Sequence, residues 1–161
     1  MPDKGVAEEH QDDRFDDLQQ QVLKGMGKTY TPVVMALWKD PQNAGSLDYP
    51  DGYGQVTGPC GDTMQIWLRV RNDVIIDAKF WTDGCGPSIV CGSIITIMVK
   101  GKSLEAAVRI DQQMVLDELG GLPEESHHCA LLAADALGAA IGCVRSELVA
   151  EKTKEVKHAD I

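Results

Sequence analysis

The sequence predicts an α+β fold: a small three-stranded antiparallel sheet with several helices packed on one face. Three observations carry that expectation. Residues 63–71 and 74–81 alternate apolar and polar side chains around a short polar turn, the period of two paired strands with one face on a core. From Pro87 onward the apolar spacing becomes helical and stays so. Strands that come first and helices that follow them give segregated layers rather than an alternating parallel sheet.

In chain order, Phe15, Leu18, Val22 and Leu23 have roughly helical spacing, which predicts a short helix over 15–26. A second short helix runs from Tyr30 to Trp38, begun near Thr31-Pro32 and ended before Pro41. Residues 43–59 are rich in Gly, Pro, Asp and Asn, so a loop is expected there, with one short strand around Gln55–Thr57. In the first long strand Met64, Ile66, Leu68 and Val70 face the core, and Gln65, Trp67, Arg69 and Arg71 face away. In the second, Val74, Ile76, Ala78 and Phe80 take the core side. Pro87 to Val99 is apolar nearly all round, as in a buried helix, and Gly101 ends it. Ser103 caps "LEAAVRI", "DQQMVLDEL" closes at Gly120-Gly121, and a last helix begins near Ser126 and frays into a charged tail. The organisation is an acidic leader (1–28), one folded domain (29–152) and a charged tail (153–161).

The chain has 161 residues and a net charge of −10, half of it in residues 1–17, where seven acids face Lys4 and Arg14. That balance excludes nucleic acid as a partner, since phosphate binding needs clustered Lys and Arg. The start reads as neither a signal nor a transit peptide. The longest weakly polar run, Cys129–Val144, is broken by Asp135 and is shorter than the roughly 20 residues of a membrane span. A cytoplasmic protein with no membrane partner is expected, and its five cysteines point to metal ligation, redox chemistry or packing rather than a disulfide framework.

Three cysteines share an unusual setting. Cys60 lies in "GPCGD" between strands, Cys85 in "DGCGP" between a strand and a helix, and Cys129 in "SHHCA" at a helix start. An ordinary thiol, with a pKa of about 8.5, is mostly protonated at neutral pH, and a helix N-terminus favours its thiolate. Asp62 and either His127 or His128 are close enough in sequence to join them. Thiolates and imidazole suit zinc or iron–sulfur clusters, while a carboxylate is a hard ligand and a poor choice for permanent holding. No close C-x2-C pair is present, which argues against a closed structural zinc site and against a dithiol oxidoreductase. The residues together describe a labile soft-metal site, with Asp62 as the source of lability. A zinc-binding structural or regulatory protein is the alternative use of the same side chains. Cys91 and Cys143 read as packed thiols, and Met64, Met98 and Met114 as core filling.

The segments "NAGSLD", "VTGPCGDTMQIWLRV", "DAKFWTDGCGPSI", "VKGKSLEAA" and "HCALLAADALGAAI" resemble the iron–sulfur cluster scaffold family of the IscU and NifU N-terminal domain type, from about Tyr30 to Leu148. The joint spacing of C-G-D, G-C-G and H-C is specific, and the interval from Cys85 to Cys129 is that of the IscU-like branch. The resemblance implies a scaffold rather than an enzyme. It would assemble a [2Fe-2S] cluster from iron and sulfur and pass it to apo iron–sulfur proteins. Cys60, Asp62, Cys85, His128 and Cys129 would surround iron, the cluster, or zinc as a resting occupant. It implies Cys129 as the persulfide acceptor from a cysteine desulfurase of the IscS/NifS type, a ferredoxin or frataxin-like donor, and a homodimer as one assembly open to the chain. Family members carry "LPPVK" before the H-C motif, the segment read by an Hsp70-type chaperone. Here "LPEES", Leu122–Ser126, puts two acids at its basic end, so no chaperone stimulation is expected.

Overall fold

The computed structural model describes residues 30–84 and 86–159, with side chains through Glu151. The helix expected over 15–26 and Cys85 lie outside the described residues. Helix α1, Pro32–Lys39, starts as the Thr-Pro pair predicts: Pro32 needs no N–H partner, and Val34 N–H donates to Thr31 Oγ1 at 3.3 Å. The same hydroxyl donates to the Leu119 carbonyl and ties α1 to a later helix.

The sheet has the order β1-β2-β3, all antiparallel, with β1 Gly52–Thr57, β2 Thr63–Arg71 and β3 Val74–Thr82. β1 begins three residues before the strand expected around Gln55–Thr57. Gly52 and Gly54 look like loop in the sequence, yet packing requires them in the strand. A Cβ on Gly54 would sit 2.4 Å from the Ala140 nitrogen and 2.5 Å from the Ala136 carbonyl oxygen of the last helix.

Asn72 and Asp73, at φ 53° and 63°, both take the left-handed conformation that suits a two-residue hairpin turn. Ala78 and Phe80 face the core as expected, but Ile76 does not, and Ile75 takes its place. Arg69 pairs with Asp77 but Val70 pairs with Ile75, so a bulge between Arg69 and Val70 leaves one residue of β3 extra. Ile75, Ala78 and Phe80 therefore enter the core, while Ile76 is 44% exposed. In a structure of period two, one extra residue exchanges the two faces.

Helix α2, Gly86–Val99, packs on β3, and its Gly92 admits the Phe80 ring, 2.3 Å from where a Cβ would stand. Gly101, at φ +86°, turns the chain out of it. Ser103 caps α3, Leu104–Ala107, a single turn and shorter than "LEAAVRI" suggested. Asp111 caps α4, Gln112–Leu119, and left-handed Gly120 closes it. A 3-10 turn, Glu124–Ser126, leads into α5, His127–Ala159, which continues through most of the expected tail. Ser126, near which the last helix is expected to begin, lies buried at the end of that turn, one residue before α5. Helix α5 packs on β1 and β2, so the helices that cover the sheet lie on one face, as predicted.

Three further expectations change. Met114 is 40% exposed, and Cys143 is half-buried, whereas Cys91 is in the core as expected. The segment Glu124–Glu151 is long and apolar enough to cross a membrane by length and composition, which the reading of 129–144 alone did not allow. Half of its most apolar stretch is buried in the fold, as in a core helix.

Candidate functional site

Three chain segments meet at one end of the sheet. The β1–β2 connection is a tight turn: Gly58 N–H donates to the Asp62 carbonyl at 2.8 Å, Gly61 N–H to the Gly58 carbonyl at 3.0 Å, and Gly61 adopts φ +88°. This turn leaves Cys60 exposed and directs half-buried Asp62 inward. The segment after β3 is bonded alongside it. Thr63 N–H donates to Asp83 Oδ1 at 2.7 Å, Thr82 Oγ1–H to the Thr63 carbonyl at 2.7 Å, and Gly84 N–H to Thr82 Oγ1 at 3.1 Å.

The two glycines that flank Cys85 are held by close approach rather than by a left-handed turn. A Cβ at Gly84 would lie 2.6 Å from Ser88 Oγ and 3.0 Å from Asp62 Oδ2; one at Gly86 would lie 2.2 Å from the Trp38 ring. Trp38 in turn packs on Tyr30, with ring centroids 5.8 Å apart. The chain is thus pressed against Asp62 and Ser88 just before Cys85 and against Trp38 just after it.

Helix α5 supplies the third wall from its first turn. Cys129 is 1% exposed; Ser88 Oγ–H donates to its Sγ at 3.3 Å, and its Sγ lies 3.5 Å from His128 Nε2. His128 turns to a cavity of about 150 Å³ that Cys60, Asp62, Leu131, Leu132 and Asp135 also line. His127 faces elsewhere: its Nε2–H donates to the Leu122 carbonyl at 2.9 Å. Of the two histidines left open by the sequence, His128 shares a cavity with Cys60 and Asp62. Among the described residues, no three Cys, His, Asp or Glu side chains form a group that could hold a metal ion. Cys60, Asp62 and His128 share one opening, and Cys129 lies directly behind the imidazole.

Ser88 and Asp135 escaped the sequence reading. Asp135 follows His128 by seven residues, a spacing that returns to the same helix face, so helical periodicity alone could have found it. Ser88 had one signal, a hydroxyl in an otherwise apolar helix, where a buried polar group needs a partner. Chemically the set offers a soft nucleophile in a protected position, an exposed thiol, an imidazole and a carboxylate that can give or withdraw a hard ligand.

The family model for the NifU-like N terminal domain matches residues 29–149. The iron–sulfur cluster assembly scaffold protein IscU of Haemophilus influenzae is 47% identical over 117 residues, which cover 70% of this chain and 92% of that protein. Iron–sulfur cluster assembly scaffold protein IscU 1 of Archaeoglobus fulgidus is 43% identical over 113 residues, 70% of this chain and 74% of its own length. The crystal structure of a nitrogen-fixing NifU-like protein (N-terminal) from Brucella abortus superposes with a TM-score of 0.60 at 21% identity, over 75% of this chain and 97% of that one.

Proposed function

The chain belongs to the family of NifU-like N-terminal domains, and from that membership we propose that it is a scaffold on which a [2Fe-2S] cluster is built and then passed to apo-proteins. As a scaffold it is a carrier rather than an enzyme. The observation that supports this reading best is the shared opening of Cys60, Asp62 and His128 in front of buried Cys129. The cluster is cargo, assembled from iron and sulfur delivered separately.

The thiolate of Cys129 attacks the terminal sulfur of a persulfide carried by a cysteine desulfurase. A new S–S bond forms at Cys129, the donor S–S bond breaks, and the donor cysteine leaves as thiolate. Each sulfane sulfur then takes two electrons from an external donor to become sulfide. Iron enters at the opening, where Cys60, Asp62, Cys85 and His128 are its ligands in this proposal. A scaffold has to release its product, and the carboxylate of Asp62 makes the holding weaker than thiolates alone would. These partners accord with a cytoplasmic setting.

The test is anaerobic reconstitution with ferrous iron, cysteine and a cysteine desulfurase. The expected product absorbs in the visible range and carries acid-labile sulfide equal to its iron, with persulfide found on Cys129 before iron is added. Protein that stays colourless and binds only zinc under these conditions would overturn the proposal.

A further inference from the structure

The sheet face opposite the helices carries an aromatic diagonal. Tyr53 stands opposite Trp67 across the β1–β2 pairing, with ring centroids 5.4 Å apart, and Trp81 lies on β3 opposite Gln65. Tyr53 is 37% and Trp81 46% exposed. Trp67, Trp81, Gln65, Gly45 and Ser46 line an open groove of about 340 Å³. On the same face stand Arg69, Arg71 and Lys79, with Asp77 already paired to Lys100 at 3.3 Å. A basic, aromatic surface is out of character for a chain of net charge −10. Clustered aromatic rings with Arg beside them are a common composition of binding surfaces.

We propose that this face is the docking surface of the chain's own N-terminal segment, residues 1–28. Three facts select that occupant. The first is charge: residues 1–17 hold seven acids against Lys4 and Arg14, the sign that complements Arg69, Arg71 and Lys79. The second is pattern and size. Phe15, Leu18, Val22 and Leu23 recur at helical spacing, and a helix from Phe15 to Leu23 presents an apolar stripe about 12 Å long. The diagonal from Tyr53 to Trp81 crosses two strand spacings and two residues of one strand, also about 12 Å. The third is where the segment leaves the fold. Tyr30 packs on Trp38, Trp38 on Gly86, and Gly86 is five residues from Trp81, at most about 17 Å of extended chain. Residues 24–29 are enough to bridge that gap. Opposite charges steer the segment, and burial of the rings holds it.

The experiment uses the full chain. The probe is acrylamide quenching of its three tryptophans, Trp38, Trp67 and Trp81. Neutralising Asp12, Asp13, Asp16 and Asp17 to Asn, or screening them in about 0.5 M salt, should raise the quenching constant about twofold. Trp67→Phe with Trp81→Phe should abolish that response, because Trp38 is elsewhere. Lys79→Glu should open the face, and Asp16→Lys in the same chain should close it again. Carbodiimide cross-linking of a mixture of light and nitrogen-15-labelled chains should join acids of 1–17 to Lys79 within one chain. Quenching that ignores both the four-fold neutralisation and salt would overturn the proposal. So would cross-links found only between light and heavy chains, which would assign the face to a second copy.

Discussion

Asp62 contributes differently through its backbone and through its carboxylate. Its carbonyl closes the 58–62 turn, whereas Oδ2 lies beside Gly84 and the side chain lines the opening shared with Cys60 and His128. Asp62→Ala removes only the second role. The variant should still take up a [2Fe-2S] centre through thiolates, lose it more slowly to a chelator, and deliver it more slowly to an apo-ferredoxin. Visible absorbance followed anaerobically checks this; faster loss from an intact fold would make Asp62 a stabilising ligand. In the proposed role of Cys129 as sulfur acceptor, Ser88 orients the thiol through its 3.3 Å bond to Sγ. Loss of a bond of about 1 kcal/mol predicts a roughly five-fold slower appearance of persulfide on Cys129 in Ser88→Ala. The same time course by peptide mass spectrometry, unchanged in a variant of lower melting temperature, would reduce Ser88 to packing. The sequence named Cys60, Asp62, His128 and Cys129 together from their settings in turns and at a helix start, and the structure brings those four to one end of the sheet. Ser88 was not legible there, because its partner stands 41 residues away and only the packing of α2 on α5 brings them together.

At the scale of elements, strands and helices followed from periodicity wherever side chains did the packing. β2 matches its expected span and inward face for that reason. β1 was half hidden because backbone does the packing there: Gly52 and Gly54 let the strand lie on the helix spine at Ala136 and Ala140. In β3 the alternation holds for Ala78 and Phe80 and fails at Ile76, because a bulge has no signature in the alternation itself. A contrast between glycines tests this account. Gly54→Ala forces atoms to 2.4 Å and should cost about 3 kcal/mol or more, read as a lower urea midpoint. Gly138 lies on exposed helix surface with nothing within 4 Å of an added methyl, so Gly138→Ala should gain up to about 1 kcal/mol. Equal effects at the two positions would show that β1 is not seated on α5.

For the whole molecule, occupation of the site and stability of the fold are linked, because its walls come from β1–β2, β3–α2 and α5, which the unfolded chain does not hold together. Zinc at about a hundred times its dissociation constant should add about 2.7 kcal/mol, raising the melting temperature by roughly 5–10 °C for a chain of this size. Cys60→Ser should remove most of that rise, and calorimetry that finds the same rise in both proteins would place the ion elsewhere. The seat of β1 on α5 also has a consequence in time. Ala136 is seven residues from Cys129, about 10 Å along the helix, so the Cys129 thiol stands close to a clamped point. A shift of α5 would have to unseat a strand, a motion of microseconds to milliseconds. On the opposite side, Gly84 lies against Ser88 and Asp62, and Gly86, the first residue of α2, lies against Trp38. The side of the site that α5 forms therefore keeps its shape over any shorter interval, and Cys129 keeps its place with it.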